Sequence, residues 1–266
     1  MNCCAKLTAL LALLVSSAAF ANTPQRVVSL DYCADQFVLK LLPRSSILAL
    51  SPDADREFSY MREAASGLPQ VRPVAENVLI LQPDLIVRSY GGGPRAAGFY
   101  ERAGIAVLQV PFANNLDDIR SMLRTVATGL GSTERGEEVV ADMDRRLAAI
   151  QDATTPRSAL YMTPTGVTSG PDTLIHEMLG AAKLENFETR SGWHSIPLER
   201  LAHEQPDVVA AAFFSSSADR PLMWSAMRHP VAQRQISEQP TVMLQGAWTS
   251  CGGWFLLDAI EALATQ

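Results

Sequence analysis

Positive charge is scarce in this sequence. Lys and Arg total 22 against 28 Asp and Glu, a formal net charge of −6, so no basic field exists to hold a nucleic-acid backbone or an anionic membrane surface. Cysteine is scarce too, with four in 266 residues, but 47% of the chain is apolar. That is enough for one large core or two ordinary ones, since domains usually hold roughly 100–150 residues, and it excludes both a disordered chain and a disulfide-stapled mini-protein. The apolar run Leu7–Val15 falls short of the roughly 20 residues a spanning helix needs, and no later segment is long and apolar enough. Catalytic signatures are missing as well. There is no Gly-x-Ser-x-Gly elbow and no Gly-x-x-x-x-Gly-Lys phosphate loop. His176-Glu177 opens like a zincin, but position 180 is Gly, so the second metal ligand is absent. The sequence therefore assigns no catalytic and no metal-ligating residue.

Residues 1–21 read as a signal peptide. Lys6 precedes the run Leu7–Val15, and Ala19-Phe20-Ala21 supplies the small-x-small pattern a signal peptidase reads. The alternative is an uncleaved N-terminal anchor. Cys3 and Cys4 precede the apolar run rather than follow it, which argues against a lipoprotein. Cleavage leaves Cys33 and Cys251 as the mature cysteines, an even count in a compartment where disulfides persist.

The rest alternates short apolar runs with helical patterns. Val27–Leu30, Ile47–Leu50, Leu85–Val87, Ile105–Val110, Ala159–Met162, Val208–Ala212 and Thr241–Leu244 read as buried strands. Helical stretches such as Asp35–Leu42 and Leu116–Leu130 lie between them, which implies βαβ units and parallel sheets. One segment breaks the rhythm: after Gly129-Leu130-Gly131, Ser132 is placed to cap a helix carrying Val140, Met143, Leu147 and Ile150 on one face, with Asp142 and Arg146 a turn apart on the other. Assigned to residues 132–154, this helix predicts a rigid connector between an N-terminal lobe (22–131) and a C-terminal lobe (155–266). A weak repeat agrees, since Glu76–Val87 aligns without gaps to Glu199–Ala210 with four identities in twelve. The expected fold is thus α/β: two lobes with parallel-rich central sheets joined by one long helix.

Ligands of such lobes bind beyond the carboxyl ends of parallel strands. Candidates there are Asp31 and Tyr32 after the first strand, and Ser89, Tyr90 and Gly91 of the Gly91-Gly92-Gly93 loop after the third. That loop offers backbone N–H groups to ligand oxygens, or is an ordinary turn. In the second half, Thr168–Gly170, Phe213–Ser215 and Ala247–Thr249 hold equivalent places. Gly192–Ser195 has turn composition, so Trp193 projects into a cleft or closes over its own lobe; His194 beside it is the one His placed near the cleft. Trp248 offers a second ring for stacking on a flat ligand.

In order and content, Arg26–Asp31, the two Glu-to-Pro-Asp segments and the helix between them resemble the helical-backbone class of periplasmic substrate-binding proteins of ABC importers for vitamin B12, iron–siderophores and heme. Ser29-Leu30-Asp31-Tyr32-Cys33 and Trp248-Thr249-Ser250-Cys251-Gly252-Gly253 are similar to members assigned to corrinoid or iron-chelate uptake. The resemblance implies a monomeric receptor, not an enzyme, with no resident cofactor. Its ligand would be a corrinoid or ferric chelate, and its partners an ABC permease with its ATPase at the inner membrane. It also implies that Glu76 and Glu199 dock to the permease; position near a helix N-terminus would favour a carboxylate in any case. Relatives that bind vitamin B12 carry a Trp six residues before the second docking Glu. Trp193 holds that place, while Gln70 stands in the equivalent place before Glu76. Cys33 and Cys251 are left as a disulfide across the lobes, as thiols contacting a metal chelate, or as inert buried thiols. Readings from other classes are a secreted α/β hydrolase and a receptor for free metal ion or heme.

Overall fold

The computed structural model describes residues 24–151, 155–213 and 225–266. The signal peptide assigned to 1–21, the connector's last residues (152–154) and Phe214 and Ser215 lie outside the described residues.

The first half builds β1 (Val27–Ser29), β2 (Ile47–Ala49), β3 (Leu85–Arg88) and β4 (Ala106–Gln109), all parallel, in the order β2-β1-β3-β4. The second half builds β5 (Ser158–Met162), β6 (Val167–Ser169), β7 (Glu185–Asn186), β8 (Trp193–Ser195), β9 (Val208–Ala212) and β10 (Thr241–Leu244). Four of these form a second parallel sheet, β10-β9-β5-β7, while β6 and β8 pair antiparallel as a separate ribbon. Matching β1 with β5, β2 with β7, β3 with β9 and β4 with β10 gives the same strand order in both lobes. The central strands β1, β3, β5 and β9 are buried on both faces, as parallel sheets require, while the edge strands β4, β7 and β10 are partly exposed. Along β9, Val208, Ala210 and Ala212 enter one apolar cluster, and Val209 and Ala211 enter another on the opposite face.

The weak repeat is a structural unit. Helix α3 (Ala75–Leu79) leads through Pro83-Asp84 into β3, and α8 (Leu198–Leu201) leads through Pro206-Asp207 into β9. Each Asp pins the neighbouring strand. Asp84 accepts the backbone N–H groups of Gln25 (2.9 Å) and Arg26 (3.1 Å) ahead of β1. Asp207 accepts the N–H (2.7 Å) and hydroxyl (2.8 Å) of Ser158 at the start of β5, and these bonds hold its carboxyl below the usual range.

The other helices are α1 (Tyr32–Leu41), α2 (Arg62–Ala65), α4 (Ala96–Arg102), α5 (Leu116–Gly129), α6 (Thr133–Ala148), α7 (Leu174–Ala181), α9 (Pro230–Glu238), α10 (Gly246–Thr249) and α11 (Leu256–Ala264). The expected connector is α6, and it is shorter than 132–154. Val139, Val140 and Met143 are buried, but Leu147 and Ile150 are only partly covered, so little packing remains to extend the helix. Ser132 occupies the N-cap position without a capping side-chain bond. The expected Asp142–Arg146 pair does not form either. Asp142 pairs with Arg145, and Arg146 reaches to α11, where Glu261 takes a bidentate contact (both 2.7 Å) and Asp258 accepts at 2.6 Å. A planar two-pronged contact outcompetes an i,i+4 surface pair worth a few tenths of a kcal/mol. One apolar cluster runs from Val27 and Phe37 through Met143 to Tyr161, Ala210 and Phe255, so a continuous core joins both sheets and the connector.

Candidate functional site

The carboxyl ends of both sheets face a cleft made of two adjoining cavities, about 880 and 850 Å³. Tyr32, Trp193, Thr249 and Ser250 line both and mark where they meet. Six of the eight parallel-strand ends contribute a wall: Tyr32 after β1, Ser89 and Tyr90 after β3, Val110–Asn114 after β4, Thr163–Thr165 after β5, Phe213 after β9 and Gln245 after β10. Each cavity alone falls within the roughly 300–1,000 Å³ of drug-sized ligands, so together they admit a larger molecule.

Aromatic rings dominate. Tyr32 meets Phe58 edge-on at 4.8 Å and Tyr90 at 6.1 Å. Trp193 lies edge-on to Tyr161 at 6.2 Å and keeps 57% of its surface exposed; Phe112, on the rim after β4, is 85% exposed. Burial pushes the Tyr161 phenol up to about 12, with the Thr249 hydroxyl offsetting part of the rise. That hydroxyl nonetheless meets full hydrogen-bond geometry with neither this phenol nor any other group. Burial likewise raises Tyr32 and Tyr90, so all three phenols stay neutral at ordinary pH. Phe213 is held at a left-handed φ of 67°, and its ring lies where a Cβ on Gly246 would come within 2.6 Å; only glycine leaves the room.

Several expected site residues have other work. Asp31 is 3% exposed. One carboxylate oxygen caps α1 by accepting from Ala34 N–H (3.0 Å), and the other accepts from Ser89 (2.7 Å), Tyr90 (3.1 Å) and Gly91 (2.8 Å). Asp31 therefore holds the Ser89–Gly91 turn and does not line the cleft, and the Gly91 N–H expected to greet a ligand points at Asp31. Gly91 is required because a Cβ there would sit 2.3 Å from the Leu30 carbonyl oxygen. Trp193 and His194 lie in β8 rather than a turn, paired to Ser169 and Thr168 of β6. The His194 Nε2 donates to the Ser191 carbonyl (2.6 Å), away from the cleft lining. Trp248 packs on the main core, leaving Gly246, Thr249 and Ser250 of its segment to form cleft wall. Gln70 bridges Leu50 at the sheet edge, and Phe58, Tyr90 and Phe112 supply the first lobe's rings instead.

Cys33 and Cys251 are bonded to each other, with Cα atoms 5.7 Å apart across 218 residues of sequence, and the bridge forms part of the cleft floor. Beside it the Tyr32 hydroxyl donates to the Ser250 carbonyl (3.5 Å), and the Ser250 hydroxyl donates to the Phe58 carbonyl (2.8 Å). Among the described residues no three His, Cys, Asp or Glu side chains come together as an ion site, and no helix is long and apolar enough to cross a membrane.

Sequence reasoning missed Phe58, Arg62, Phe112, Tyr161 and Thr163. Phe112 was the readable one, since it follows a strand in Val110-Pro111-Phe112, where an apolar ring after a Pro leaves the sheet.

Two α/β lobes of matching topology, closed around an aromatic cleft at their strand ends, define a two-lobed solute receptor. A family model described as periplasmic binding protein matches residues 27–245, and the chain belongs to that family. It is 28% identical over 209 residues to a cobalamin-binding protein of Halobacterium salinarum, an alignment that covers 75% of this chain and 56% of that protein. The chain thus spans little more than half of that relative's length. It is 27% identical over 275 residues to a vitamin B12-binding protein of Pectobacterium atrosepticum, covering 96% and 92%. Among solved structures, a periplasmic heme-binding protein of Pseudomonas aeruginosa shares the fold, with a TM-score of 0.67 at 24% identity over 91% and 92% of the two chains.

Proposed function

We propose that this protein is a periplasmic receptor that captures a corrinoid or ferric chelate between its lobes and delivers it to an ABC permease and its ATPase. One observation carries the reading: an aromatic-walled cleft, larger than a drug-sized site, in which Tyr32 of one lobe and Trp193 of the other line the same space. A flat macrocycle gains affinity from such rings with little side-chain entropy lost. The names of the relatives, cobalamin-binding and vitamin B12-binding, support the corrinoid arm, and the shared fold of the heme-binding protein keeps heme in the panel. No covalent step is asked of the protein. Export through the segment 1–21 places it in the periplasm.

Glu76 and Glu199 stand exposed at equivalent positions of the duplicated unit, in the first turns of α3 and α8. They suit a partner with two equivalent subunits carrying basic pockets.

Titration of the purified protein with cyanocobalamin, hemin and ferric siderophores, followed by tryptophan fluorescence, is expected to show saturable quenching by one class. Trp193→Ala should weaken it about tenfold or more. Failure of all three classes to bind overturns the receptor reading. A Glu76→Ala/Glu199→Ala variant should bind normally while uptake in cells falls, and undiminished uptake would remove the docking role alone.

A further inference from the structure

The two cavities are both largely apolar and rich in aromatic rings, and they differ in the charged side chains they carry. The one lined by Tyr90 and Phe112 also takes Val110, Pro111, Leu174 and Ile175 into its wall, with Asp172 its lone charged side chain. The other holds Arg62, the one Lys or Arg among the described residues lining either cavity. The Arg62 guanidinium is weakly engaged: Nη1 reaches the Ser59 carbonyl at 3.4 Å, and Nε stands 3.8 Å from Glu63, whose side chain is 93% exposed. Most of its five N–H donors are therefore unspent. Thr249, whose buried hydroxyl has no hydrogen-bond partner, stands where the two cavities meet, and Glu57, the acid of the Arg62 cavity, is exposed and screened by water. An under-used cation in the wall of a largely apolar, partly enclosed cavity is a place for an anion.

We infer that the cleft reads its ligand in two parts: the Tyr90–Phe112–Trp193 cavity takes a flat, apolar ring system, and the Arg62 cavity takes an anionic side arm of the same molecule. Arg62 is then the residue that separates ligands with such an arm from those without it. The inference rests on the receptor reading and deepens it. The arm's chemistry has two sources, a phosphodiester on a complete corrinoid or a carboxylate on a porphyrin, and paired probes distinguish them.

The test measures dissociation constants for cyanocobalamin against dicyanocobinamide, which lacks the phosphodiester arm, and for hemin against its dimethyl ester. The native protein should prefer the armed member of one pair by about tenfold or more, the worth of one charge-assisted contact. Arg62→Gln should collapse that preference to near unity, while Phe112→Ala, at an 85% exposed position, should weaken both members alike. A preference absent in the native protein, or unmoved by Arg62→Gln, overturns this inference and leaves the receptor reading standing. Binding of none of the four overturns both.

Discussion

Asp31 is committed before any ligand arrives. It sits at the carboxyl end of β1, where strand-end carboxylates commonly meet substrates, yet it accepts four backbone N–H groups from two segments. Asp31→Ala would strand those donors in a buried place, at about 1–3 kcal/mol for each left without water. The expected result is a loss of at least about 3 kcal/mol in urea denaturation, with ligand binding weakened only because the Ser89–Gly91 turn loosens. A stable variant with lost binding would instead mark Asp31 as a ligand contact. Asp35, one helical turn on and fully buried, behaves differently. Burial pushes its carboxyl up to about 6, although Ser51 donates to it through both N–H (3.2 Å) and hydroxyl (2.6 Å). A raised carboxyl pKa means that the folded state holds the proton more tightly than the unfolded chain does. The associated stability is present in acid and is lost as pH climbs from about 4 through about 6, on the order of 2–3 kcal/mol. Asp35→Asn mimics the protonated form. Its stability relative to the native protein should therefore rise between pH 4 and pH 7, and a difference that stays constant with pH would refute the burial cause.

At the level of elements, the parallel strands were legible because each is short, apolar on both faces and bounded by helical patterns; all seven expected runs overlap strands. The β6–β8 ribbon was not. Val167-Thr168-Ser169 and Trp193-His194-Ser195 carry no apolar alternation, and they pair through tertiary placement alone. The same limit hid much of the site. Tyr161 and Phe58 belong to the cleft through where the chain brings them, and nothing local distinguishes them from core rings, whereas Tyr32, Tyr90 and Trp193 stood at recognisable strand-end or motif positions. The connector's charges were misread for a similar reason, because Arg146 finds its partners 112 and 115 residues away. That contact now defines an element-scale prediction. Arg146 joins α6 to α11, and the Tyr60 hydroxyl from the first lobe donates to the same Asp258 (2.8 Å). Glu261 is held below the usual carboxylate range by Arg146, so the pair stabilises at neutral pH and fades in acid. Arg146→Ala should lower stability by roughly 1–2 kcal/mol at pH 7 and by less near pH 4, the contact being only partly enclosed. An equal loss at both pH values would assign the effect to lost packing of the arginine stem.

For the molecule as a whole, the question is what sets the separation of the lobes. A continuous apolar core and a helical connector both resist opening, since packed helices shift by small steps rather than swing. To these the Cys33–Cys251 bridge adds a covalent tie in the cleft floor. Closing a loop of 218 residues removes a large share of unfolded-chain freedom, and native disulfides typically stabilise by roughly 2–5 kcal/mol. If the bridge acts mainly on the unfolded chain, Cys33→Ser/Cys251→Ser should cost that much stability and change ligand affinity less than tenfold. The folded floor keeps two other ties, Tyr32 to Ser250 and Ser250 to Phe58. Counting thiols in denatured, unreduced protein checks the starting state, where none should react. Comparing denaturation midpoints and ligand titrations of the two forms then separates the roles. A fall in affinity that outruns the fall in stability would show that the bridge sets the width of the cleft, because only a change in the folded state can weaken binding without unfolding the chain.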